Sequence, residues 1–235
     1  MVNDQPPSSM DTAAIAATID HTVLKPDSTL EHVRTLCLEA SAHRFASVCI
    51  LPWHVADASR LLVESSVAVC TVVGFPLGAT TTAAKVAEAL DAITNGATEI
   101  DMVASITALK SGQYDRLQLD ITEVVSAVHN RGGIVKVIIE TCLLSDDEKR
   151  RMCDVVSNAA ADFIKTSTGF STGGATLEDV RLLRQHVAPS VQVKASGGIR
   201  DLQTAIAMLN AGATRLGTSS GVAIVNATVD SRDTY

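Results

Sequence analysis

The sequence predicts a single-domain (β/α)8 TIM barrel. β-rich runs alternate with helical stretches along nearly the whole chain. The repeat is roughly 25–35 residues, the length of a parallel βαβ unit. Eight such units fit within the 235 residues, as a closed barrel requires. The rival, a doubly wound open sheet, would place a glycine-rich nucleotide turn after its first strand. This chain runs into DHTVLKPDST instead.

Taken in order, the first strand is expected at Ala17–Thr22, where Thr18, Asp20 and Thr22 alternate with Ile19 and His21. Helix Leu30–Ser41 follows, then strand Ser47–Leu51, which turns Cys49 inward, and strand Val67–Gly74. Helix Thr81–Asn95 stops at Asn95-Gly96, residues that tolerate a left-handed backbone. Strand Glu99–Val103 sets Glu99 and Asp101 against Ile100 and Met102; helix Asp115–Asn130 comes next. Strand Ile134–Glu140 sets Lys136 and Glu140 against Val135, Val137 and Ile139. Ser145 caps helix Asp146–Ala160 ahead of an acidic first turn. Strand Phe163–Thr168 puts Phe163, Lys165 and Ser167 on one face. Thr176 caps helix Leu177–His186, and strand Val191–Ser196 aligns Gln192, Lys194 and Ser196. Helix Asp201–Ala211 ends at Asn210-Ala211-Gly212, before the last strand, Thr214–Thr218. Residues 1–10 read as a polar N-terminal extension, 11–225 as the barrel and 226–235 as a flexible C-terminal tail.

The composition, 46% apolar and 19% charged, is that of an ordinary soluble globular protein. Nineteen Lys and Arg against 26 Asp and Glu give a net charge of −7, without the basic balance a nucleic-acid partner requires. A few local donors could still hold one phosphate. The longest nearly apolar run, Val67 to Ala79, contains Thr71, Gly74 and Pro76 and is too short to span a bilayer. The N-terminus lacks the basic start and apolar stretch of a secretory signal. Five cysteines, Cys37, Cys49, Cys70, Cys142 and Cys153, are scattered without a C-x-x-C pair, as reduced thiols of a cytoplasmic protein would be. The six histidines form no metal-ligand spacing and none is read as catalytic; Trp53 is read as a rim or packing residue. No metal, cofactor, membrane or nucleic-acid partner is expected, and the choice between homodimer and homotetramer is left open.

A parallel barrel strand is covered on both faces and should be nearly unbroken in apolar residues. Here five strands are apolar on one face and charged on the other, so the charges point into the barrel, where they must be paired or neutral. Lys165 and Lys194 lie on consecutive strands, about 5 Å apart. A second ammonium disfavours protonation of the first, and desolvation acts the same way. A neutral amine attacks carbonyls, and a carboxylate such as Asp101 moves the protons of carbinolamine dehydration and carbon–carbon cleavage. Ser196-Gly197-Gly198 and Gly217-Thr218-Ser219-Ser220-Gly221 follow strands seven and eight, where barrels commonly hold phosphate.

Over roughly residues 18–225 the chain closely resembles the deoxyribose-phosphate aldolases, metal-independent class I enzymes with a (β/α)8 barrel. The resemblance is carried by DHTVLKPDST, GFPLGATTTAAKVAEA, NGATEIDMV, KVIIETCLLSDDEK, ADFIKTSTGFSTGGAT, VKASGGIRDLQTAIAML and AGATRLGTSSGVAIV. It implies reversible cleavage of 2-deoxy-D-ribose 5-phosphate to D-glyceraldehyde 3-phosphate and acetaldehyde, with the phosphorylated sugar and short aldehydes as partners. It further implies that Lys165 forms the Schiff base, Lys194 lowers its basicity, and Asp101 transfers protons. Gly169, Gly197, Gly198, Ser219 and Ser220 would cradle phosphate. Asp20, Lys136 and Thr168 would face the sugar hydroxyls and reacting centre, with Cys49 close by. The terminal Tyr235 would carry a proton to the enamine carbon. Two stretches depart from the family pattern, Ala104-Ser105-Ile106-Thr107 and Leu51-Pro52-Trp53-His54. The alternatives are another Schiff-base barrel aldolase or transaldolase with a different donor, and a non-catalytic sugar-phosphate sensor.

Overall fold

A computed structural model describes residues 12–227. A short helix α1 (Thr12–Ala16) leads into β1 (Ile19–Val23), α2 (Leu30–His43), β2 (Ser47–Ile50) and α3 (Val55–Leu61). Next come β3 (Ala68–Val73), α4 (Thr82–Thr94), β4 (Glu99–Val103), α5 (Ile106–Lys110), α6 (Tyr114–His129) and β5 (Ile134–Ile138). The chain continues through α7 (Asp146–Asn158), β6 (Phe163–Lys165), α8 (Leu177–His186), β7 (Gln192–Ser196), α9 (Leu202–Asn210), β8 (Arg215–Thr218) and α10 (Gly221–Asn226). The eight strands close in sequence order into one parallel barrel, β8 pairing back onto β1 through Ile19↔Leu216 and Asp20↔Gly217.

The barrel forms because each strand buries its alternate apolar residues under the helices. Val48 and Ile50 on β2, Ile100 and Met102 on β4, and Val135 and Val137 on β5 all belong to one buried cluster with helix residues such as Ile121, Val124 and Val156. Helix starts are fixed as the sequence implied. Ser145 accepts from the Glu148 amide while Glu148 returns to the Ser145 amide, and Thr176 accepts from Asp179. Thr29 and His32 make a similar reciprocal cap on α2.

The observed strands are shorter than expected at several ends. β5 stops at Ile138 and β6 at Lys165. Glu140 adopts a left-handed backbone (φ 53°), which turns the chain out of the sheet and into the 3-10 turn Thr141–Leu143. The short helices α1, α3, α5 and α10 are not among the expected elements, because five to seven residues carry too little periodicity to register. Among the described residues no helix is long and apolar enough to cross a membrane.

Candidate active site

Strand alternation aims one charged residue after another at the barrel axis, and the register decides which ones meet. Asp101 sits beside Lys136 on β5, Lys165 beside Lys194 on β7, and Lys194 beside Arg215 on β8. Lys165 Nζ lies 2.7 Å from Asp101 Oδ2, and Lys194 Nζ lies 2.6 Å from the same oxygen. Lys136 Nζ donates to Asp101 Oδ1 at 2.9 Å and pairs with Glu99 at 2.6 Å and Asp20 at 3.5 Å. Lys194 also pairs closely with Asp20. Beneath them Arg215 Nη1 reaches Asp20 Oδ1 at 2.7 Å and Glu99 Oε2 at 3.1 Å, its guanidinium 5.4 Å above the Phe163 ring. All seven form one network, with Lys165 at the end of β6.

The charges hold each other ionised against the cost of burial. Burial raises the Asp20 carboxyl, but Lys194, Lys136 and Arg215 overcome it and hold the group well below the usual carboxylate range. The same contest at Asp101 is won by Lys136, Lys165 and Lys194. Burial works downward on Lys194 and Lys136; Asp101 and Asp20 reverse it, with the Cys70 sulfur and Glu99 adding at Lys136, so both are held charged above their ordinary values. The expected apposition of Lys165 and Lys194 is therefore mediated: a carboxylate oxygen lies between two amines. The network contains four cationic side chains and three carboxylates. One cation is in surplus.

Cys49 and Cys70, register partners on β2 and β3, complete the interior. Cys70 Sγ lies 3.2 Å from Asp101 Oδ1 and 3.2 Å from Lys136 Nζ, and Cys49 Sγ lies 4.0 Å from Asp101 Oδ2. A hydrogen bond from Cys70 lowers the Cys49 thiol against burial, while burial and that same bond raise Cys70. With Leu24, Val72, Leu51 and Phe75 they form a small buried apolar cluster.

At the C-terminal mouth, Thr168 is tied to Glu140: its hydroxyl donates to Glu140 Oε2 at 2.5 Å and accepts from the Phe170 amide at 3.0 Å. Both residues line a cavity of about 140 Å³ with Val103, Ile106 and Phe170. Phe75 meets Phe170 edge-on at 5.2 Å, joining the loop after β3 to the loop after β6. Of the two departures noted in the sequence, one puts Ile106 on this cavity. The other forms a 3-10 turn on which Trp53 is 87% exposed, a rim residue.

The glycine loops sit side by side. Gly169, Gly197 and Gly198 take φ near +85°, where only glycine is comfortable. A Cβ on Gly174 would lie 2.4 Å from the Gly197 carbonyl oxygen, and the Ala175 amide donates to the carbonyls of Ser196 (3.0 Å) and Gly197 (3.1 Å). Ser167 and Ser196, next to this seam, have buried hydroxyls without a partner among the described residues. Ser219 is exposed, whereas the Ser220 amide is already used by the Thr218 hydroxyl at 2.9 Å. Tyr235 lies outside the described residues.

With this geometry in view, the sequence pattern of the DeoC/LacD family aldolases matches residues 14–227. The chain belongs to the DeoC/LacD aldolase family. Within this family it is similar to the deoxyribose-phosphate aldolase of Carboxydothermus hydrogenoformans, 55% identical over 221 residues that cover 93% of this chain and 97% of the relative. A solved structure described as QR15, an aldolase, is 42% identical with a TM-score of 0.86, covering 90% of this chain and 94% of its own. The tetrameric deoxyribose phosphate aldolase of Aeropyrum pernix is 35% identical with a TM-score of 0.86, covering 92% and 91%.

The structure of this DeoC/LacD aldolase assembles Lys165, Lys194, Asp101, Asp20, Lys136 and Cys49 at one centre and places Thr168 and the glycine loops around the mouth above it. Sequence reasoning did not assign roles to Arg215, Glu99, Cys70 or Glu140. The alternation of RLGT on β8 and EIDMV on β4 carried the signal for the first two. Nothing in the sequence marked the backbone turn at Glu140.

Proposed function

We propose that this chain is a class I deoxyribose-phosphate aldolase that cleaves 2-deoxy-D-ribose 5-phosphate reversibly to D-glyceraldehyde 3-phosphate and acetaldehyde. The observation that carries the reading is the Lys165 amine, 2.7 Å from a carboxylate oxygen that it shares with Lys194. An amine attacks a carbonyl only as the free base. Of the network's four cations Lys165 alone has a single ionic partner, Asp101, which stands where it can take up and return protons as the amine reacts.

In this reading the amine adds to the C1 aldehyde of the open-chain sugar, and Asp101 relays the protons that let water leave as the iminium forms. Loss of the 3-hydroxyl proton then breaks the C2–C3 bond. Its electron pair flows into the iminium to give an enamine on Lys165, and the glyceraldehyde phosphate departs. Protonation of the enamine carbon and hydrolysis release acetaldehyde and restore the amine. Gly169, Gly197 and Gly198 are read as the phosphate cradle, supported by positive-φ backbones that expose amides. A cytoplasmic place of action is part of the reading, supported by five unpaired thiols.

Borohydride reduction in the presence of the sugar phosphate, followed by peptide mapping, tests the assignment. The expected product is a reduced adduct on Lys165, and Lys165→Leu should abolish turnover by at least about a thousandfold while leaving the fold intact. An adduct on another lysine, or none, would refute it.

A further inference from the structure

We infer that Arg215 and Glu99, on the floor of the barrel, are positioning residues that set the pH at which the Lys165 amine becomes available. The inference rests on the Schiff-base reading of Lys165 and goes beyond it, because neither residue is placed to touch substrate. Arg215, Glu99 and Phe163 are the first residues of β8, β4 and β6, at the end of the barrel opposite the cavity lined by Glu140 and Thr168.

Every strand sends a titratable or charged group to the axis: Asp20, Cys49, Cys70, Glu99 with Asp101, Lys136, Lys165, Lys194 and Arg215. Lys136 has three carboxylate partners, Lys194 and Arg215 two each, and Lys165 one. Lys165 is therefore the cation of the network with the fewest carboxylate neighbours. Arg215 is connected to that position without a break, through Asp20, Lys194 and Asp101. In a water-poor interior a unit charge on the order of 10 Å away still acts by about one pH unit.

The signs follow. Removing the Arg215 cation leaves as many carboxylates as cations, so Lys165 keeps its proton to higher pH. Removing the Glu99 anion enlarges the surplus, so Lys165 releases its proton at lower pH. Two residues that only braced the barrel would not move the profile in opposite directions.

The test uses the full chain with Arg215→Met, Arg215→Lys and Glu99→Gln. The pH dependence of cyanoborohydride trapping of acetaldehyde on Lys165 is measured beside cleavage of 2-deoxy-D-ribose 5-phosphate. The acid limb should rise by about one pH unit in Arg215→Met and fall by about one in Glu99→Gln, each a roughly tenfold rate change on the limb. Arg215→Lys should stay close to the unaltered protein. Limbs that stay in place, or move the same way, overturn the inference even when the adduct is on Lys165. Should Arg215→Met fail to fold, Glu99→Gln decides: a lowered limb supports the inference, an unmoved or raised one overturns it. An adduct on another lysine removes the Schiff-base reading first and this inference with it.

Discussion

Cys153 and Cys142 lie 11 residues apart in the sequence, but in different chemical worlds. Burial pushes the Cys153 thiol up to about 12 and the Cys37 thiol up to about 11, so neither offers thiolate near neutrality. Cys142 is exposed on the turn after β5, its sulfur 3.4 Å from the Ser171 hydroxyl. Iodoacetamide at pH 8 should modify Cys142 at least about tenfold faster than Cys153 or Cys37 in the folded protein. Peptide mass mapping over time checks this, and equal rates would mean that the α7–α8 layer opens freely. The same scale shows what alternation can reveal. Asp101, Lys165 and Lys194 stand out because a charge at an inward position is costly unless used. Glu140 shares that alternation, but its partner could not be read from it, since the bond to Thr168 depends on one left-handed backbone angle.

Among the elements, the loop between β6 and α8 shows why strand lengths were the least legible part of the fold. The run FIKTST continues to look like a strand, yet the chain leaves the sheet after Lys165 to make tertiary bonds. The Thr166 hydroxyl donates to the Ser196 carbonyl, and Thr168 turns toward Glu140. Tertiary partners override local propensity here. Where this loop meets the one after β7, contact is backbone on backbone. Gly174→Ala would drive a methyl group into the Gly197 carbonyl. Stability should fall by about 1–3 kcal/mol as the seam is forced apart. KM for the phosphorylated sugar should rise about tenfold, the worth of one charge-assisted hydrogen bond, while acetaldehyde trapping on Lys165 changes little. Parallel kinetics with the two substrates separate these effects, and equal losses in both would place the glycine loops outside the phosphate cradle.

For the molecule as a whole, the buried network ties stability to pH at both ends. Asp20 and Asp101 are held below the ordinary carboxylate range. Their contribution is fully present above the unfolded value of about 3.9 and is lost as pH falls toward the folded ones. Lys136 and Lys194 are held above the ordinary lysine range. Theirs is fully present below about 10.4 and is lost as pH rises through the folded values. Asp101→Asn should cost about 3–5 kcal/mol at pH 7, because three amines lose a buried partner. The gap to the unaltered protein should narrow by pH 3, where the carboxylate of the unfolded chain takes up a proton while the folded one stays ionised. Urea unfolding at the two pH values measures both, and a gap that stays constant would deny the carboxylate its electrostatic role. The barrel and its mouth were legible because eight repeats and their inward charges are periodic features. The floor was legible only at Glu99, which alternates inward with Asp101, because a lone arginine at a strand start resembles a solvent-facing residue until the ring is closed.

That closure has a further consequence. Asp20 comes from the first strand and Lys194 and Arg215 from the last two, so these partners meet only when β8 zips against β1. A nascent chain still missing its final quarter, or a barrel sprung open along that seam, holds Lys165 without Lys194 and Arg215, the neighbouring cations of the network. Assembly itself acts as the arming step, and a half-built molecule carries an ordinary surface-like lysine instead of a loose nucleophile.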